Sequence, residues 1–109
     1  MPELPDVEIF KRYADATVLH KTIASVHVHA PEMLASVSRQ AVAGRLNGRR
    51  FESTDRHGKY LFLRTGGTWS LVLHFGMTGT LAYAKSPDAD AYHVRLTIGF
   101  DNGYRLDYR

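Results

Sequence analysis

From residue 6 to about residue 20 the apolar side chains recur at helical spacing. Val7, Phe10, Ala14 and Val18 form the stripe, and Ile9 and Tyr13 widen it. The spacing predicts a first helix that opens at Pro5-Asp6, with Leu4 packed behind it. Residues 22 to 29 switch to a period of two, with Ile23, Ser25, His27 and His29 on one side and Ala24, Val26 and Val28 on the other. That alternation predicts a half-buried strand. Pro31-Glu32 suits a short helical turn, and residues 38 to 46 read as an irregular or short helical connection ending at Gly48.

Past Gly48 the pattern is all strand. Segments 50–56, 60–64, 68–75, 80–84, 93–100 and 104–108 are rich in β-branched and aromatic residues. Breakers separate them: His57-Gly58, Gly66-Gly67, Gly76, Ser86-Pro87-Asp88 and Asn102-Gly103. Asp101-Asn102-Gly103 is the strongest turn signal, since Asn and Gly tolerate the positive φ of a primed hairpin. Many short strands behind one amphipathic helix predict a mainly β (α+β) fold: a two-layer antiparallel β-sandwich with the N-terminal α-helix packed at its side. A parallel sheet with alternating helices would contradict this.

The 109 residues allow one core and one domain. At 44% hydrophobic and 23% charged, the composition is that of an ordinary globular protein. No cysteine means no disulfide framework and no thiolate zinc site in this chain. The six histidines show no persuasive metal-ligand spacing, and His27 and His29 read as surface residues of one strand face. No apolar run approaches membrane-spanning length and the N-terminus is no signal peptide, so a cytoplasmic monomer without a membrane partner is expected.

The formal charge of +3 is modest, but it is unevenly spread. Between residues 39 and 64 stand Arg39, Arg45, Arg49, Arg50, Arg56, Lys59 and Arg64, against only Glu52 and Asp55. Such an excess suits a phosphate-facing surface, and it equally suits a solvated strand face.

The opening Met1-Pro2-Glu3-Leu4-Pro5-Asp6-Val7-Glu8 carries the most unusual chemistry. Removing Met1 leaves Pro2 with a free secondary amine. An α-amino group titrates near ~8, far below a lysine, so part of it is nucleophilic at neutral pH. Glu3 sets a carboxyl group beside that amine, and the pair could form an iminium and move the protons this needs. The residues alone fit a plain helix start as well, with Pro5 in the first turn and Asp6 and Glu8 complementing the dipole. Two later residues are ambiguous in the same way. Lys59 follows a glycine turn at the head of an apolar strand, either aimed at a site or merely solubilising a strand end. Met77, bracketed by Gly76 and Gly79, is either an exposed loop tip or core filler.

Taken in order, these segments resemble the formamidopyrimidine-DNA glycosylase family along the whole chain. The opening string is the specific part, with Asp6 where the family usually has Glu. Gly58-Lys59-Tyr60-Leu61 is similar to the family's Gly-or-Ala-Lys-Tyr-Leu segment, and His74-Phe75-Gly76-Met77-Thr78-Gly79 to its wedge loop. Leu106-Asp107-Tyr108-Arg109 resembles the start of its Asp-Pro-Arg-Arg-Phe-Gly segment, with Tyr108 in place of proline. Glu3-Leu4-Pro5 and the wedge loop favour the formamidopyrimidine branch over the endonuclease VIII-like branch.

The resemblance implies a base-excision repair glycosylase that removes oxidised purines (formamidopyrimidines, 8-oxoguanine), with abasic-site lyase activity through a Schiff base on Pro2. It implies Pro2, Glu3 and Lys59 as catalytic residues: nucleophile, proton donor, and a lysine on the phosphates around the lesion. It implies His74 at the DNA backbone, Met77 as a wedge in the vacated stack and Arg109 facing the orphaned base. The partner would be double-stranded DNA containing oxidised bases or abasic sites. No cofactor is expected in this chain. The family's helix-two-turn-helix and usual four-cysteine zinc finger are not among these residues, so zinc is expected in a C-terminal part. Ending at Arg109 inside a motif, residues 1–109 read as the N-terminal catalytic domain of a truncated protein, inactive as a fragment. A retained Met1 would make the Pro2 nitrogen an amide and silence it. The alternative is a non-catalytic nucleic-acid-binding domain that retains the glycosylase fold.

Overall fold

A computed structural model describes residues 4–30, 39–67, 69–75, 79–85 and 94–109, leaving aside the side chains of residues 4–6 and 39. The chain runs α1 (Leu4–Thr17), β1 (Ile23–Val28), α2 (Arg39–Leu46), β2 (Phe51–His57), β3 (Tyr60–Thr65), β4 (Ser70–His74), β5 (Leu81–Ala84), β6 (Leu96–Phe100) and β7 (Arg105–Tyr108). The strands form two antiparallel sheets, one ordered β1-β6-β7-β5 and the other β2-β3-β4. This is the expected sandwich with its helix at the side.

The sheets face each other through one core. Leu61, Leu63 and Leu73 come from the three-stranded sheet, and Leu96, Ile98, Leu106 and Tyr108 from the other, all buried. α1 adds Val7, Ala14 and Val18 to this core and lies along the open side between β2 and β5. Polar contacts fix it there. The Thr54 hydroxyl of β2 donates to Asp15, and the Tyr83 N–H of β5 donates to the Tyr13 hydroxyl at 2.7 Å. Glu8 meets Arg56 at 3.2 Å, so α1 runs antiparallel to β2 and its first turns approach the β2–β3 turn.

Several boundaries differ from the periodicity, each for a physical reason. The stripe continues to Val18, which is buried, but the helix stops at Thr17. Leu19 bridges Phe51, and His20 takes a left-handed φ of 66° with its N–H on the Phe51 carbonyl at 2.8 Å. Strand pairing therefore overrides the helical pattern there. In β1 a register shift between Ile23 and Ser25 breaks the strict alternation and lets Ile23 and Val28 both be buried. The β6–β7 hairpin is tight as expected, but not primed. Gly103 has φ +86° while Asn102 stays at negative φ, and the Gly103 N–H reaches the Phe100 carbonyl at 3.2 Å. This is a three-residue turn closed by a left-handed glycine.

The 38–46 connection is helical from Arg39, with Val42 and Leu46 buried against β1. The turns expected at Pro31-Glu32 and Ser86-Pro87-Asp88 lie outside the described residues. Among the described residues no helix is long and apolar enough to cross a membrane.

Candidate functional site

Lys59 is the second central residue of the β2–β3 turn. Gly58 precedes it at φ +60°, the position that a two-residue hairpin loop gives to glycine when its first central residue must have positive φ. The Lys59 carbonyl accepts the Phe75 N–H at 3.0 Å, so the turn is tied to the exit of β4. His74, the last residue of β4, pairs with Tyr60 across the sheet, and their rings lie 4.7 Å apart on its outer face. The His74 carbonyl accepts the hydroxyl of Tyr108. The next residue, Arg109, exchanges two backbone hydrogen bonds with Thr80, each 3.0 Å. Positions 59, 74 and 109, far apart in sequence, thus share one end of the sandwich.

The same end carries the approach of α1. Arg56 donates to Glu8 through Nε and to the Gly58 carbonyl through Nη1 at 3.3 Å, joining the helix to the Lys59 turn. Phe10 stacks on Phe75 at 4.8 Å. Pro2 and Glu3 lie outside the described residues, as does Met77. Phe75 is fully buried, and a Cβ added to Gly79 would stand 2.8 Å from the Phe75 Cα. Residues 75 and 79 thus pack against each other, which only glycine at 79 permits. Gly79→Ala is therefore expected to separate them and lower stability by about 1–3 kcal/mol, measured by chemical denaturation.

The basic run does not form one surface. Arg56 turns inward to Glu8, because its cross-strand partner Leu61 faces the core. Arg64 lies on the outer face with Asp55 at 2.6 Å. The Arg64 hydrogen bond holds the Asp55 carboxyl below its ordinary 3.8. That pair's contribution is present above this value and fades as pH falls through the lowered one. Arg45 and Arg49 lie at the other end of β3, and at the His74 end Lys59 is accompanied by Arg56, which is paired with Glu8.

Three contacts were not read from the sequence. The Tyr108 ring is 5.6 Å from Phe75, edge-on, and its hydroxyl crosses to β4, a role the family's proline could not fill. The strand alternation of Leu106 and Tyr108 was the available signal for this inward orientation. Tyr60 stacks beside His74. Asp107 is buried, accepting the Thr97 hydroxyl at 2.8 Å and Arg105 Nη2 at 3.0 Å. The Thr97 hydrogen is committed to Asp107, so His29 Nε2, 3.0 Å from Thr97 Oγ1, donates to it. His29 is thus bound into this network, while the rings of His27 and His29 lie 6.4 Å apart. Among the described residues no group of three or more His, Asp or Glu is placed to hold a metal.

Comparison with known proteins adds the context. A family model described as the formamidopyrimidine-DNA glycosylase N-terminal domain matches residues 1–109. The formamidopyrimidine-DNA glycosylases of Mycolicibacterium paratuberculosis and Mycobacterium leprae are 40% and 39% identical to this chain, across 99% of it and 38% of each relative. A complex between the wild-type Lactococcus lactis Fpg (MutM) and an N7-benzyl-Fapy-dG containing DNA superposes with a TM-score of 0.88 at 28% identity, covering 98% of this chain and 39% of that one. A complex of the Lactococcus lactis Fpg with an abasic site containing DNA gives 0.87 and 27%, over 97% and 39%. The chain spans about two-fifths of the length of these relatives.

Proposed function

Because the chain belongs to the formamidopyrimidine-DNA glycosylase family through its N-terminal domain, we propose that it is the catalytic half of a base-excision repair glycosylase with abasic-site lyase activity. Its substrates are oxidised purines in double-stranded DNA, and its relatives' complexes with Fapy-dG and abasic DNA support that choice. The observation that carries the reading is the convergence of positions 59, 74 and 109 on the end of the sandwich approached by α1.

Once Met1 is removed, the Pro2 nitrogen lone pair attacks C1′ of an everted damaged nucleotide. The base leaves with the electrons of the glycosidic bond and takes up the proton that the attacking Pro2 nitrogen gives up. Glu3 protonates the sugar ring oxygen as the C1′–O bond opens, and an iminium forms between Pro2 and C1′. The iminium acidifies the C2′ protons, and loss of one eliminates the 3′ phosphate and cuts the strand. Lys59 and His74 hold the flanking phosphates, while Met77 and Arg109 fill the vacated stack. No step needs a metal in this chain. Zinc, where the protein carries it, belongs to DNA-gripping parts beyond these residues, and the 109-residue chain alone is inactive.

The test is excision of a formamidopyrimidine from duplex DNA by a protein of the relatives' full length. Lys59→Ala is expected to lower kcat/KM by about 10- to 100-fold. Lys85→Ala, an exposed lysine at the end of β5, should change it less than about twofold. Equal effects would remove the special position of Lys59. Intact duplex and intact abasic strands after long incubation would favour a domain that binds DNA without chemistry.

A further inference from the structure

Among the run's described side chains, Arg45, Arg49 and Arg50 remain unexplained by the Lys59 end. Arg45 and Arg49 meet the turn that leads from β3 to β4, and Arg50 follows Arg49 in the chain. β3 spans Tyr60–Thr65, so at ~3.4 Å per residue this corner lies about 17 Å from the Lys59 turn. The turn is closed by Thr65, whose N–H and hydroxyl both donate to the Trp69 carbonyl, at 3.2 and 2.6 Å. Trp69 is left 48% exposed, and the Arg45 guanidinium carbon sits 3.8 Å from its ring centroid. Arg49 packs over the same turn, since a Cβ on Gly67 would stand 3.2 Å from its Nη1. Arg50, the next residue in the chain, is exposed.

Among the described residues these charges are not neutralised locally. The ion pairs there use Lys11, Arg12, His20, Arg56, Arg64 and Arg105, and none uses Arg45, Arg49 or Arg50. Glu52 reaches the turn with its Cγ, but its Oε2 is engaged by His20 at 3.0 Å. A guanidinium stacked on an indole keeps its in-plane N–H donors free, and that planar fork matches two phosphate oxygens. Stacking also fixes the fork in advance, so less freedom is lost when a phosphate binds. Cations interleaved with an exposed aromatic ring are the composition of surfaces that track a nucleic-acid backbone.

We propose that this corner is a second DNA contact, separate from the Lys59 end, that holds phosphates of an undamaged segment. Arg45, Arg49 and Arg50 donate to the backbone, and Trp69 keeps Arg45 planar and outward. A protein with both contacts can hold one stretch of DNA here while another occupies the Lys59 end, which favours direct transfer between segments. The contact goes beyond the glycosylase reading and does not depend on chemistry at Pro2.

Trp69 is the chain's sole tryptophan, so indole emission reports on this corner alone. An undamaged 20-base-pair duplex is titrated into the chain at several salt concentrations. The expected result is a saturable change in Trp69 emission whose midpoint weakens steeply with salt. Arg49→Gln with Arg50→Gln should weaken the midpoint by roughly tenfold and flatten the salt slope by about 0.9 for each phosphate no longer neutralised. Arg45→Lys, which keeps charge but loses the fork, should weaken it by about threefold. Lys85→Ala, which removes a surface charge that contacts no phosphate in either site, should leave the Trp69 midpoint within about twofold. Three outcomes overturn the proposal: no emission change with duplex, a change abolished in Lys59→Ala but kept in the arginine variants, or tighter binding of polyglutamate than of duplex. The last would assign the corner to an acidic protein segment.

Discussion

Retention of Met1 is expected to abolish borohydride trapping on abasic-site DNA, lowering the yield by about three orders of magnitude or more. The reason is electronic. With Met1 in place the Pro2 nitrogen is a tertiary amide whose lone pair is delocalised into the carbonyl, and it cannot attack C1′. With Met1 removed, the terminal nitrogen is a secondary amine with a localised lone pair, and α-amino groups as a class titrate near ~8, well below a lysine ammonium. Pro2→Gly, with its own methionine removed, presents a primary amine and should keep measurable trapping, since a Schiff base needs only an amine of that basicity. Gel-shifted covalent adduct per unit protein is the readout. Trapping by the methionine-retaining form at the level of the processed form would take the nucleophile's role away from the Pro2 nitrogen.

Phe75→Ala is expected to cost about 3–5 kcal/mol of stability, the largest single effect in the described core. Phe75 is fully buried, stacked on Phe10 at 4.8 Å and edge-on to Tyr108 at 5.6 Å. It therefore links α1, β4 and β7, and its N–H holds the Lys59 carbonyl. Its loss leaves a cavity bordered by backbone that strand pairing prevents from collapsing. Val72→Ala, 43% exposed on the outer face of β4, should cost less than about 0.5 kcal/mol. Urea denaturation of both variants gives the comparison. A loss below about 1 kcal/mol for Phe75→Ala would mean that the helix and the sheets are not joined through this ring.

The architecture was legible because strand and helix periods are strong local signals. Val7, Phe10 and Ala14 marked the buried side of α1, and breakers marked the turns between β2, β3 and β4. The misjudged details all depend on partners distant in sequence. The end of α1 is set by Leu19 pairing with Phe51, and the β1 register shift allows two residues of opposite parity to be buried. At Asp101-Asn102-Gly103 the composition permits either a primed turn or a type I turn ending in glycine, and the pairing of Phe100 with Tyr104 leaves three residues in the loop, which selects the second.

The candidate site was legible mainly through the family resemblance. Composition alone left Lys59 a strand-end charge and the basic run a single undivided signal. Pairing with buried Leu61 sets Arg56 on the side that faces Glu8, and the length of β3 separates Lys59 from Arg45 and Arg49. Tyr108 stood out only as a departure from the family's proline, yet its hydroxyl ties β7 to β4 beneath His74.

The most direct test of the catalytic reading is to locate the covalent bond itself. The protein of full length, processed to Pro2, is reduced with borohydride on abasic duplex, digested and sequenced by mass spectrometry. The expected result is one sugar-phosphate remnant, on the peptide that begins Pro2-Glu3-Leu4, attached at its terminal nitrogen. A remnant on the Lys59 side chain, with the terminal peptide unmodified, would contradict it.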